Sequence, residues 1–188
     1  MTTIRRQVGG LLLACAAVVG CGQGNAIISV DIWSFINTSS ADTIPYIVPP
    51  LTSNFNASNV PQKISLVPGA GGSITDTVTI SGNVNFVNST GSGTLTLQIY
   101  LAADSASADT ANAGIFPAPL QANVSPNTTT AVPIGPVNLT AKLDSLFTKS
   151  AIWFRMGTTV SNPGATTVQG KAIISALTLR VVISPKIF

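Results

Sequence analysis

The sequence predicts an all-β protein: a single antiparallel β-sandwich, immunoglobulin-like or jelly-roll-like, with at most one short helix, set behind an N-terminal leader. Three observations carry this expectation. Charged residues make up 8% of the chain, against about 25% in a typical soluble protein, while strand-favouring Thr and Val are abundant. Apolar and polar residues alternate strictly over long runs, the period of a half-buried strand. Clusters of Gly, Pro, Asn and Ser separate those runs at short intervals, which is turn chemistry.

Residues 1–20 read as the leader. Arg5 and Arg6 form a short basic region, Val8 to Gly20 an apolar run, and small residues precede Cys21, the order of a secretory signal. The run falls short of the roughly 20 residues needed to cross a bilayer core, and Gly9, Gly10 and Gly20 weaken it as a helix. Arg5-Arg6 alone does not make a twin-arginine signal, because Val8 stands where that motif has Phe, so the general secretory route is expected.

Val18-Val19-Gly20-Cys21 resembles the lipobox of bacterial lipoproteins. The resemblance implies a diacylglycerol thioether on the Cys21 sulfur, cleavage before it, and N-acylation of the new terminus. It also implies a protein anchored in the cell envelope, in the outer membrane if the organism is diderm, since Gly22 rather than Asp follows the Cys. More than one acyl chain gives stable anchoring, each buried methylene contributing about 0.8 kcal/mol. Leu12-Leu13-Ala14-Cys15 offers a second match, but it leaves too short an apolar region, so Cys21 is the expected site. Cys15 leaves with the signal, and no Cys follows Cys21 to form a disulfide.

Residues 21–26 are then a short lipidated tether, and 27–188 a single sandwich domain. Within it, 27–36 reads as a strand, 37–42 as a turn, and Pro45, Pro49 and Pro50 make the next segment extended or edge-like. Ile74, Val78, Ile80, Val84 and Phe86 share one face of a strand over 74–86 whose other face is Thr, Ser and Asn, with Gly82 marking a bulge or bend. After a turn at 88–93, Leu95, Leu97, Ile99 and Leu101 resume the alternation, and the two strands read as a hairpin. Shorter strands follow at 120–124 and 130–139. The spacing of Leu139, Leu143, Leu146 and Phe147 predicts a short helix. Strands at 151–159 and 171–183 are expected to pair across the turn at 161–164.

The Thr/Val strand, Asn88 with Gly91 at its turn, and Leu97-Gln98-Ile99-Tyr100-Leu101 leading to Asp104 and Asp109 are similar to CARDB and related immunoglobulin-like modules of bacterial surface proteins. The resemblance implies an adhesion or scaffolding role.

Composition excludes several chemistries. The chain has no His and no Glu, which removes Ser-His-Asp and Cys-His nucleophilic systems and His-based zinc motifs. None of the six Asp residues sits in a catalytic motif, so no enzyme is expected. Arg5 and Arg6 account for two of the formal +3, leaving +1 for the mature side chains and no basic patch for nucleic acid.

Three constellations remain. Asp104 and Asp109 bring oxygen ligands to one loop, but calcium takes six to eight of them. Without Glu or the Gly of a calcium loop the stretch reads as a solvated turn. The Gly-rich segment at 69–73 lacks the Gly-Lys-[Ser/Thr] ending of a phosphate loop and reads as a turn. Trp153 and Arg155 share one side of a strand opposite Ile152, Phe154 and Met156, a candidate binding platform for sugar. Packing under a neighbouring element is the competing fate of so large an aromatic. Trp33, flanked on its face by Asp31 and Phe35, is a further candidate.

The sequence thus predicts a lipid-anchored, non-catalytic envelope domain with no cofactor beyond the lipid on Cys21. Its expected partners are the membrane together with another envelope protein, itself or a polysaccharide. Neutral strand faces and open edges suit β-augmentation; an exposed-aromatic glycan module is the alternative, and an atypical Asp-dependent hydrolase a weaker one.

Overall fold

The computed structural model describes residues 26–65, 74–110, 114–140, 146 and 149–184. Cys21 with the leader and tether, the Gly-rich turn at 69–73, and most of the helix expected at 139–147 lie outside the described residues.

Among the described residues, ten strands and two short helices follow in the order β1 (Ala26–Asp31), α1 (Ile32–Asn37), β2 (Thr43–Val48), β3 (Thr52–Ser58), β4 (Gln62–Ser65), β5 (Ile74–Thr90), β6 (Gly93–Ala102), α2 (Ser105–Thr110), β7 (Leu120–Val124), β8 (Thr128–Asn138), β9 (Ala151–Asn162) and β10 (Val168–Ser184). They form two antiparallel sheets. β1 and β2 lie end to end along one edge of β10, which pairs with β5, which pairs with β8. In the second sheet β3 and β4 lie end to end along β9, which pairs with β6, which pairs with β7. Each sheet therefore has four strand positions, and the chain passes back and forth between sheets in the connectivity of a jelly roll.

The alternation that identifies the strands also builds the core. Val84 and Phe86 of β5, Leu177 and Leu179 of β10, Leu97 and Ile99 of β6, and Ile152 and Phe154 of β9 are all fully buried between the sheets. Each such side chain contributes about 1.5–3 kcal/mol. This layer, rather than any cross-link, holds the sheets together.

Both expected hairpins are overturned. β5 and β6 are joined through Gly91 and Ser92 yet lie in opposite sheets, and so do β9 and β10. Alternation reports which face of a strand is buried, and the apolar faces of β5 and β6 meet across the core instead of lying side by side. Gly91 makes the step with φ +67, and a Cβ there would stand 2.6 Å from the Thr167 carbonyl oxygen, so only Gly fits.

The strand expected over 27–36 ends at Asp31, and Ile32–Asn37 turns into α1. A continued strand would put Ser34 on the same face as Ile32 and Ile36. The helix buries both isoleucines, four apart, and leaves Ser34 and Phe35 outside. The turn expected at Asp104 to Asp109 is likewise replaced by α2. Asp104 caps it, with Oδ1 accepting from the Ser107 amide at 2.8 Å and Oδ2 from the Ser107 hydroxyl at 2.8 Å. Gly82 does mark a bulge: the β5–β8 register shifts between Ile80 and Gly82, and the β10–β5 register between Ile174 and Ala176.

Among the described residues each of the four sheet edges is guarded. The β1–β2 edge is interrupted by α1, the β3–β4 edge by Asn59-Val60-Pro61, β8 carries Pro133 and Pro136, and β7 is short. Broken, proline-bearing or short edges resist strand addition, which turns attention from the edges to the sheet faces.

Candidate functional site

The outer face of the second sheet can be laid out from its register. One row crosses the strands as Asn56, Thr159 and Thr96, and the next as Ser58, Gly157 and Gln98. Then come Arg155 beside Tyr100, and Lys63, Trp153 and Ala102. Gly157 has no side chain in the middle of this face. The rows on either side stand above it and make a groove of about 380 Å³.

The groove is walled by hydroxyl and amide side chains, chiefly Asn56, Ser58, Thr159 and Gln98, with Tyr100 and Arg155 closing one end. The Thr159 hydroxyl donates to Asn56 Oδ1 at 2.7 Å, and the Thr96 hydroxyl to the Thr159 carbonyl at 3.2 Å. Gln98 Oε1 is buried without a hydrogen-bond partner, tucked against the backbone at Gly114. An unpaired buried acceptor is costly.

Arg155 is only 9% exposed although it points out of the sandwich. The α2 segment covers it: its Nε donates to the Ala108 carbonyl at 2.7 Å, and its guanidinium lies 4.1 Å from the centre of the Tyr100 ring. The competing fate, packing under a neighbouring element, thus falls to Arg155. A cation over an aromatic face is attracted by the ring quadrupole, so each side chain fixes the other. The Tyr100 ring leans across Gly157, whose missing Cβ would stand 3.2 Å from the ring edge.

Trp153 lies on the same face as Arg155, half-buried, and outside the groove lining. Trp33 is in a different place: it sits on α1, packs against the core, and has its indole Nε1 buried without a partner. It is not an exposed aromatic. Asp104 is fully exposed, and its carboxyl is held below the usual carboxylate range by the Ser107 amide first and the Ser107 hydroxyl second. Both of its oxygens are engaged in capping α2, while Asp109 is exposed on that helix. Among the described residues no three His, Cys, Asp or Glu side chains come together, and no helix is long and apolar enough to cross a membrane.

Sequence reasoning passed over Asn56, Ser58, Gln98 and Thr159 as site residues. Their signal was the polar phase of the alternation in β3, β6 and β9, which marks an outer face. Only the pairing of β9 with β3 and β6 brings those polar phases together around Gly157.

No family model and no curated protein matches the chain. Among solved structures it is similar to the infectious bursal disease virus VP2 subviral particle, at 12% identity and a TM-score of 0.45, over 98% of this chain and 42% of that one. It is similar to the infectious bursal disease virus Gx strain structure at 12% identity and 0.44, over 86% and 38%. TmCBM61 in complex with beta-1,4-galactotriose matches at 8% identity and 0.30, over 86% and 85%. The chain spans about two fifths of the length of the two viral chains.

Proposed function

We propose that the chain is a non-catalytic envelope lipoprotein, lipidated at Cys21, whose sandwich serves a structural, scaffolding or adhesion role by binding another component of the cell surface. The observation that carries this reading is Val18-Val19-Gly20-Cys21 behind a basic and apolar leader. The lack of His and Glu supports the non-catalytic part.

The fold gives this reading a direction. β1 starts at Ala26 opposite Ile183, at one end of the sandwich. The β2–β3, β5–β6, β7–β8 and β9–β10 turns gather at the other, where the Leu51 amide donates to the Gly164 carbonyl and the Asn127 amide to the Ser89 carbonyl. In this reading the lipid at Cys21 is joined to the β1 end of the sandwich, opposite the end that carries those four loops.

Labelled palmitate should enter the wild-type protein and be absent from Cys21→Ala. Incorporation that survives this change but is lost in Cys15→Ala would move the anchor, and no incorporation at all would remove it. Crosslinking on intact cells, followed by identification of what is captured, tests the binding role.

A further inference from the structure

We infer that the groove over Gly157 is a recognition site for a neutral, hydroxyl-rich polymer, a glycan chain, lying across β3, β9 and β6. The inference deepens the envelope-binding reading and rests on it for the setting in which the ligand is met. It does not depend on it for the chemistry.

Two features of the groove select this ligand class. Among the described residues its walls offer amide and hydroxyl groups of both hydrogen-bonding senses, from Asn56, Ser58, Gln98 and Thr159, and no carboxylate. Sugar hydroxyls donate and accept at once, so a wall of uncharged amides and hydroxyls matches them, whereas a charged ligand would call for opposite charge. Arg155, the one cation among the described lining residues, is engaged by the Ala108 carbonyl and the Tyr100 ring. It therefore acts as a rigid end wall that also fixes the ring.

The second feature is shape. Gly157 opens the floor, and the Tyr100 ring leans across it, giving an apolar surface for the C–H face of a pyranose beside polar groups for its hydroxyls. These side chains stand on paired strands, not on a loop, so they are positioned before the ligand arrives.

The residues differ from the exposed-aromatic reading, since Trp153 lies outside the groove and Trp33 belongs to the core side of α1. The test uses the chain as purified in detergent and an array of neutral gluco-, galacto-, manno- and xylo-oligosaccharides, tetra- to hexasaccharides, with titration calorimetry on each hit. At least one series should bind, and Gln98→Ala and Gly157→Val should each weaken it about tenfold or more. Asn56→Ala, an exposed change, supplies a variant whose folding is not at stake and should also weaken binding. Trp33→Phe should bind as the wild type does.

Failure of the wild type to bind any of these sugars overturns the inference. So does binding unchanged in all three groove variants. Capture of a protein partner that the groove variants lose, without any sugar binding, would replace the glycan by a polypeptide and equally overturn it. The two readings separate cleanly: sugar binding without palmitate labelling removes the anchor alone, and palmitate labelling without sugar binding removes the groove alone.

Discussion

Asn162 shows what a single buried amide does in this sandwich. It sits fully buried at the last position of β9, and its Nδ2 donates to the carbonyls of Val48, Pro49 and Thr166 at 3.1, 2.9 and 2.9 Å, while its Oδ1 accepts from the Gly164 amide. Asn88 makes the neighbouring clamp, donating to Gly91 and Ser125 carbonyls and accepting from the Tyr46 hydroxyl at 3.4 Å. Asn162→Ala would leave those carbonyls unpaired in the interior and should cost about 2–3 kcal/mol in chemical denaturation. Burial pushes the Tyr46 hydroxyl up to about 12 from 10.0. Because the folded state disfavours the phenolate, the associated stability is intact below pH 10 and is lost as the pH rises towards 12. A loss on the order of 2 kcal/mol across that window, absent in Tyr46→Phe, is the expected result. Gly82 is bound by space: a Cβ would run into the Ala176 carbonyl across the sheet, so Gly82→Ala should destabilise by about 1–3 kcal/mol.

At the scale of elements, α2 and the guarded edges had different legibility. Pro133 and Pro136 in β8 are plain in the sequence, and the consequence for an edge strand follows directly. Replacing both, as Pro133→Thr with Pro136→Val, should leave the fold intact and raise self-association, read by light scattering against protein concentration. α2 was not legible, because Ser, Ala and Asp over 104–109 satisfy a turn and a capped helical turn equally well. The Asp104 cap and the docking of the Ala108 carbonyl on Arg155 decide the matter. The Ser107 amide shift should therefore titrate with a midpoint below 3.8, the ordinary value for this carboxyl. Its cap is present above that pH and lost as the pH falls through the lowered value. In Asp104→Ala the amides of α2 should exchange faster while those of β9 and β10 do not change.

For the whole molecule, the leading fact is that sequence neighbours are not sheet neighbours. β5 and β6 touch through a two-residue link yet face each other across the core, and β10 finds partners as far away as β1, β2 and β5. A fold of such distant pairings closes long loops before its contacts repay them, so refolding should be in the millisecond-to-second range or slower, measured by stopped-flow fluorescence. The same topology explains why the groove was only half legible. The odd positions of β9, among them Trp153 and Arg155, could be read as one face from the period of two. Which strands flank that face could not.

By itself, the sequence determined the all-β class, the buried and exposed phase of β5, β6 and β9, a bulge or bend at Gly82 and the edge-like character of the segment with Pro45. All of these follow from local periodicity and local backbone chemistry. Tertiary structure alone decided the jelly-roll connectivity, the helix at Ile32–Asn37, the burial of Arg155 under α2, and the groove over Gly157. The physical reason is that a strand's alternation encodes which side meets the core. The choice of partner along each edge is made by packing two apolar layers against one another, and no single segment carries that information.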